Sequence, residues 1–149
     1  KGIQEGGFMS VPEGERSHGD KLEVLVKARE LATYTLHICT NENTFPPQYQ
    51  GAITGRIEDT AISIFMDCWT ANNVLVREDP EKWLYRKRLQ EHAANSCNNL
   101  LALIQIAQSV FHLKFKRVKY WGSMALDVRN LIRGWKTSDC KRYDHLLKK

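Results

Sequence analysis

Apolar residues return along this chain at steps of three and four in four separate stretches, and each stretch predicts a helix. From about Leu22 to Thr40, Val24, Ala28, Leu31, Thr35 and Ile38 keep that step, and Leu25, Ala32 and Cys39 widen the apolar face. Asn41-Glu42-Asn43-Thr44 ends this helix, and Pro46-Pro47 forbids its continuation, because proline has no amide N–H for the helical ladder. A second helix is predicted from about Gln48 to Arg77, with a seam of Ile53, Ile57, Ala61, Ile64, Cys68, Ala71 and Leu75 advancing by sevens. Gly51 and Gly55 weaken its first turns by about 1 kcal/mol each relative to Ala, or else permit a close helix approach. The third helix begins at Asp79-Pro80-Glu81, a capping Asp, a Pro at the first helical position and a Glu suited to the positive helix end. It runs to about His112 along Leu89, Ala93, Ser96, Leu100, Leu103, Ala107 and Val110. Only Gln105 is polar between Leu100 and Ala107, so this helix is expected to be the most buried element. The fourth spans about Val118 to Thr137, with Val118, Trp121, Ala125, Val128, Ile132 and Trp135 in a heptad-like seam.

No strand-period alternation, hairpin dipeptide or internal repeat competes with this reading. Four long helices with short connections predict an all-α fold, an antiparallel up-down-up-down four-helix bundle over residues 21–137. The polar, Gly/Pro-bearing segment 9–20 reads as a flexible arm, and the tail 138–149 as polar, basic and prone to fray. Residues 1–8 read as a non-native leader, with Met9 as the native start. A length of 149 residues with 42% hydrophobic content suits one domain with a real core. No run approaches the roughly 18–20 apolar residues of a membrane span, and no signal-peptide pattern opens the chain. The expectation is a cytoplasmic protein with no membrane partner.

Charge sharpens the picture. The formal net charge is +5, yet residues 1–112 carry 11 Lys/Arg against 14 Asp/Glu, while residues 113–149 carry 11 against 3. The excess positive charge therefore lies in the last quarter of the chain. Such asymmetry suits a polyanion partner; the plainer alternative is a solvated basic helix. Arg129, Arg133 and Lys136 share one face of the fourth helix with Lys119, beside its apolar seam. Lys114-Phe115-Lys116-Arg117 forms a basic turn just before that helix, and Arg86-Lys87-Arg88 lies early in the third. Antiparallel packing of helices three and four would bring the latter cluster near Lys136. The two clusters would then form one positive strip suited to phosphate contacts, which give affinity without base specificity.

The residues offer little for catalysis. Helical bundles that hold two irons need inward Glu-x-x-His pairs and further carboxylates, but the one such pair here is Glu15/His18, in the arm. No phosphate-binding Gly-rich loop is present. Cys39, Cys68, Cys97 and Cys140 form no CxxC pair; the first three sit among apolar residues and are expected as reduced, buried thiols. Asn95, Ser96, Cys97, Asn98 and Asn99 cluster on helix three. They either read a ligand or hydrogen-bond across helices and fix register, with Asn72 and Asn73 as partners. The expectation is a protein without enzymatic activity, cofactor or metal.

One family shares these features. Val118-Lys119-Tyr120-Trp121-Gly122-Ser123, leading to Val128-Arg129-Asn130-Leu131-Ile132-Arg133-Gly134-Trp135-Lys136, resembles the last helix of small four-helix-bundle proteins. That group includes proteins encoded in 23S rRNA intervening sequences and the accessory variability determinant (Avd) of diversity-generating retroelements. Cys97-Asn98-Asn99-Leu100-Leu101-Ala102-Leu103-Ile104 and Lys27-Ala28-Arg29-Glu30-Leu31-Ala32 are similar to the Avd-like branch. The resemblance covers about residues 20–143. It implies a five-subunit barrel with basic surfaces that works with a reverse transcriptase copying a template RNA into mutated cDNA. By position, Arg129, Arg133 and Lys136 would belong to the charged last helix and Arg86, Lys87 and Arg88 to the third. Ile62, Phe65, Trp69 and Val76, beyond the seam of helix two, would then help to close subunit contacts. The rival reading is a structural bundle that binds an acidic protein and no nucleic acid.

Overall fold

The computed structural model describes residues 20–148; the expected leader, the arm up to Gly19 and the Glu15/His18 pair lie outside them. Among the described residues there are four α-helices and no strand: α1 (Asp20–Cys39), α2 (Gly55–Asn72), α3 (Pro80–Phe111) and α4 (Phe115–Tyr143). Each packs on two others, α1 and α3 both lying against α2 and α4. The core between them is built largely from the predicted seams, although Leu75, Leu89, Leu103 and Val118 are only half-buried, Val110 is exposed, and Cys97 and Ile104 take the inner face of α3. Val24, Ala28, Leu31, Ile57, Ala61, Ile64, Cys68, Leu100, Trp121, Ala125 and Ile132 all belong to the core. Thr35 sits in this apolar seam because its hydroxyl accepts the Trp121 indole N–H at 3.0 Å, which satisfies both buried polar groups.

The helix ends follow local chemistry. Thr40 Oγ1 donates to the His37 carbonyl at 2.8 Å and closes α1. Asp79 caps α3 as expected, its carboxylate accepting from Glu81 N at 2.9 Å, with Pro80 at the first helical position. His112 leaves α3 in the left-handed region, φ 55°, and so turns the chain sharply into Leu113, which is buried.

Two predictions of extent and one of burial are corrected. The second helix does not run from Gln48 to Arg77. A 3₁₀ turn (Pro47–Tyr49) and a π-helical turn (Gln50–Thr54) lead into α2, which ends at Asn72. Asn73 closes it by donating its amide to the Trp69 carbonyl at 3.0 Å, and Arg77 takes φ 51° in the connection that follows. Residues 138–143 of the expected basic tail are instead the end of α4, because Asp139 and Tyr143 continue its buried stripe after Trp135, and a 3₁₀ turn (Asp144–Leu147) follows. And α3 is not buried all round: Ile106 and Val110 are 51% and 41% exposed, because only its inner face meets α2 and α4.

The π-helical turn depends on Gly55. A Cβ there would stand 2.9 Å from the Gln50 carbonyl oxygen, a backbone atom that cannot swing aside, whereas Gly51 has nothing within 4 Å of its Cβ position. The same substitution should therefore act in opposite directions at the two sites. Gly55→Ala should cost about 1–3 kcal/mol through crowding, while Gly51→Ala should stabilise by up to about 1 kcal/mol through chain entropy. Urea unfolding of both variants checks this pair, and equal effects would contradict the geometry.

Candidate nucleic-acid interface

The ten basic residues that the sequence singled out do not share one environment. Arg86 lies inside the protein, with no exposed surface. Its Nε donates to Asp139 Oδ2 at 2.9 Å, and its Nη1 to the Val74 carbonyl at 3.0 Å. Gln90 Nε2 donates to the same Asp139 oxygen at 2.8 Å. The guanidinium carbon stands 5.4 Å from the Trp135 ring centre and 5.9 Å from that of Tyr143. Arg86 thus ties α3 to α4 and to the connection after α2, and it is removed from the candidate interface. The cause is the neighbourhood: an arginine enters a core only with a carboxylate and acceptors to meet it, and Asp139, Val74 and two aromatic rings supply them.

Lys87, Lys136 and Arg129 are partly engaged. Lys87 pairs with Asp144 at 3.3 Å and Lys136 with Glu91 at 3.0 Å. These contacts set the start of α3 beside the end of α4, the juxtaposition expected from sequence. Asp144 also accepts the Trp83 indole N–H at 3.0 Å. That bond holds its carboxyl below the usual value, with Lys87 acting in the same direction. Arg129 is half-buried and donates to Asn98 Oδ1 at 2.8 Å. In the expected amide cluster, Asn95, Asn98 and Asn99 are exposed while Ser96 and Cys97 are buried. Cys97 is pushed up to about 12 by burial, against the nearby Arg129 and Arg133. Asn72 is buried without a hydrogen-bond partner for its Oδ1, and Asn73 caps α2, so these two do not complete a network with the α3 amides.

The remaining cations are open. Arg88, Lys114, Lys116, Lys119 and Arg133 are exposed and Arg117 is half-buried. None of the six has an ion-pair partner among the described residues. Lys114, Lys116, Arg117 and Lys119 crowd the beginning of α4, beside Phe115 and Tyr120, which are 71% and 56% exposed. Arg117 faces α1, where it acts on Tyr34; burial holds that phenol above its usual value and Arg117 works against it. Arg133 lies 16 residues further on, about 24 Å along the helix axis at ~1.5 Å per residue. There it borders a 300 Å³ cleft with Gln90, Glu91, Asn95 and Lys136. The single strip expected from sequence is therefore a dense basic end at the start of α4, and further along a looser group in which Arg88 and Arg133 are exposed while Arg129 and Lys136 are partly engaged. Lys114 and Arg117 also line a second cavity, of 280 Å³, with Asn41, Asn43 and Thr44 from the α1–α2 connection. Nothing in the sequence joined those residues, which lie some 70 positions apart and meet only because α1 and α4 are neighbours.

Among the described residues no three or more His, Cys, Asp or Glu side chains gather as a metal-holding group, and no helix is long and apolar enough to cross a membrane. Of the residues expected at a subunit contact, Val76, in the connection after α2, is fully buried with Trp83 and Tyr143 within the chain itself. Phe65 and Trp69 pack partly on the main core, and Ile62 remains 39% exposed, with Met66 near it at 48%. The chain has no match among protein-family models, curated proteins or solved structures.

Arg86 and Arg133 make a contrasting pair. Arg86→Met should cost about 3–5 kcal/mol, because it leaves Asp139 buried without its main countercharge. Adding Asp139→Leu should return part of that loss. Arg133→Met should change stability by less than ~0.5 kcal/mol. Denaturant unfolding of the three variants is the check, and an Arg86 variant as stable as the parent would remove the buried pair from the structural argument.

Proposed function

We propose that this chain is a non-enzymatic accessory protein of a diversity-generating retroelement, binding the reverse transcriptase and nucleic acid, template RNA or cDNA, through basic surfaces. The observation that carries the binding reading is the unpaired basic end of α4. Four cations and two exposed aromatic side chains stand there, and none of the four cations has an ion-pair partner among the described residues. Lysines and arginines of this kind neutralise phosphates and release counterions, and exposed rings offer stacking surfaces to unpaired bases. The family assignment rests on the likeness of helix sequences given above. With it goes an antiparallel up-down-up-down bundle, a reading supported by contacts in which α3 positions rise from 86 to 98 as α4 positions fall from 139 to 129. A homopentameric barrel in the cytoplasm completes the proposal. Ile62, Met66, Ile106 and Val110 are the open apolar side chains that such an assembly would cover.

Binding should depend steeply on salt and little on base sequence. Charge reversal at Lys116, Lys119 and Arg133 should weaken RNA or DNA binding at least tenfold or so and flatten the salt dependence by roughly 0.7 per lost single-strand contact. Arg129 is left intact because it also holds Asn98. Affinities at two or more salt concentrations test this. Salt-independent affinity, or capture of an acidic protein with no nucleic-acid binding, would favour the rival interaction-bundle reading. Light scattering at micromolar concentration should return an oligomer, and a monomeric mass would reject the assembly.

A further inference from the structure

The cavity beside the start of α4 has a composition distinct from the other clefts. The α1–α2 connection forms one wall and the turn from α3 into α4 the other. Both walls are anchored. The Asn41 carbonyl accepts from Thr44 N at 3.0 Å and Phe45 N at 2.7 Å, and Asn41 Oδ1 accepts from Asn43 N at 3.0 Å. Phe45 then seats this loop against Phe111 of α3, ring centres 5.0 Å apart, and against Trp121 of α4 at 6.2 Å. On the other side, the left-handed His112 and buried Leu113 fix where Lys114 emerges.

Phe111 and Leu113 give the cavity an apolar part, and the other six lining residues are polar or basic. Lys114 and Arg117 supply two positive charges, and neither has an ion-pair partner among the described residues. Asn41 and Asn43 supply side-chain amides, Thr44 a hydroxyl and His112 a ring nitrogen; among the described residues no carboxylate lines the space, Glu42 lining the neighbouring cleft instead. A concave site with two cations, several neutral donors and no acid matches a compact dianion with several acceptor oxygens. A phosphomonoester has two negative charges and three such oxygens. A backbone phosphodiester has one charge and sits within a continuous strand, which an open groove suits better than a cavity of 280 Å³.

We propose that this cavity binds a terminal phosphomonoester, the phosphorylated end of a nucleic-acid strand or the phosphate of a free nucleotide. The proposal rests on the nucleic-acid reading for the source of the phosphate, and on the cavity alone for the site. Two 5′-labelled single strands of identical sequence, one ending in phosphate and one in hydroxyl, provide the test. Inorganic phosphate and a nucleoside 5′-monophosphate, compared with the nucleoside by calorimetry, provide the second arm.

The phosphorylated strand should bind roughly tenfold tighter than the hydroxyl strand. Lys114→Ala with Arg117→Ala should bring the ratio to one, whatever it does to overall affinity. Asn43→Asp should do the same with less structural risk, since Asn43 anchors the turn through its backbone N–H and not its side chain. Lys116→Ala with Lys119→Ala, outside the cavity, should weaken both strands and keep the ratio. Equal affinity for the two strands, or a preference that survives Asn43→Asp, would overturn the site. Should neither strand bind, the nucleic-acid reading fails by itself. Binding of the monophosphate but not the nucleoside, lost in Asn43→Asp, then supports the cavity as a free-nucleotide site, and its absence overturns that too.

Discussion

The guanidinium of Arg86 imposes the strongest constraint on this molecule. A positive charge taken wholly out of water must be met on every side, and the groups that meet it come from three separate parts of the chain. Asp139 lies 53 residues away on α4, Gln90 one turn along α3, and the Val74 carbonyl in the connection after α2. Trp135 and Tyr143 present ring faces to it. The rotation of α4 about its axis, the point at which α2 gives way to an irregular connection, and the ordering of the chain beyond Thr137 are thereby linked. Lose one partner and the others are left with unmet charge or polarity. That makes this end of the bundle cooperative in a way that an apolar seam alone would not be.

The same chemistry divides the surface. Around the buried pair several cations are matched, Lys87 by Asp144, Lys136 by Glu91 and Arg142 by Asp139, while Arg88 and Arg133 have no ion-pair partner among the described residues. At the opposite end, where α4 begins, Lys114, Lys116, Arg117 and Lys119 have no such matching among the described residues. Composition alone assigns the whole last quarter of the chain a positive balance, but pairing decides where that charge reaches solvent. The result is an axial asymmetry, with a partly compensated end and one where four neighbouring cations have no ion-pair partner among the described residues. An approaching polyanion would feel the second far more than the first.

The helices were legible because burial of one face is a periodic demand, and period is visible in a single sequence. Val24 to Ile38 and Trp121 to Trp135 repeat without interruption, and Asp79-Pro80 announces its own cap. What escaped was the buried polar group of Arg86, Gln90 and Asp139. Arg86 lies in a run of three basic residues, and such a run reads as solvated surface. Yet Asp139 and Tyr143 follow Trp135 at four-residue steps, so a stricter reading of the stripe would have carried α4 onward and found a carboxylate on its buried side. The end of α2 gave no such cue, because Val74, Leu75 and Val76 look helical in period; Val76 instead packs on Trp83 and Tyr143 in a second small core. Of the candidate interface, the charge was visible and the pairing was not, since a salt bridge between distant positions leaves no local trace.

The π-helical turn before α2 holds one more residue than a regular turn needs. Elsewhere in these helices, removing a residue would rotate everything beyond it by about 100° and swing a buried stripe toward water. Between Gln50 and Thr54 that slack is already present. A one-residue deletion there can relax the wide turn into ordinary helix while Ile57, Ala61 and Ile64 stay in phase with the core. Natural length variation among chains of this fold, if it occurs inside a helix at all, has its least costly place at this turn.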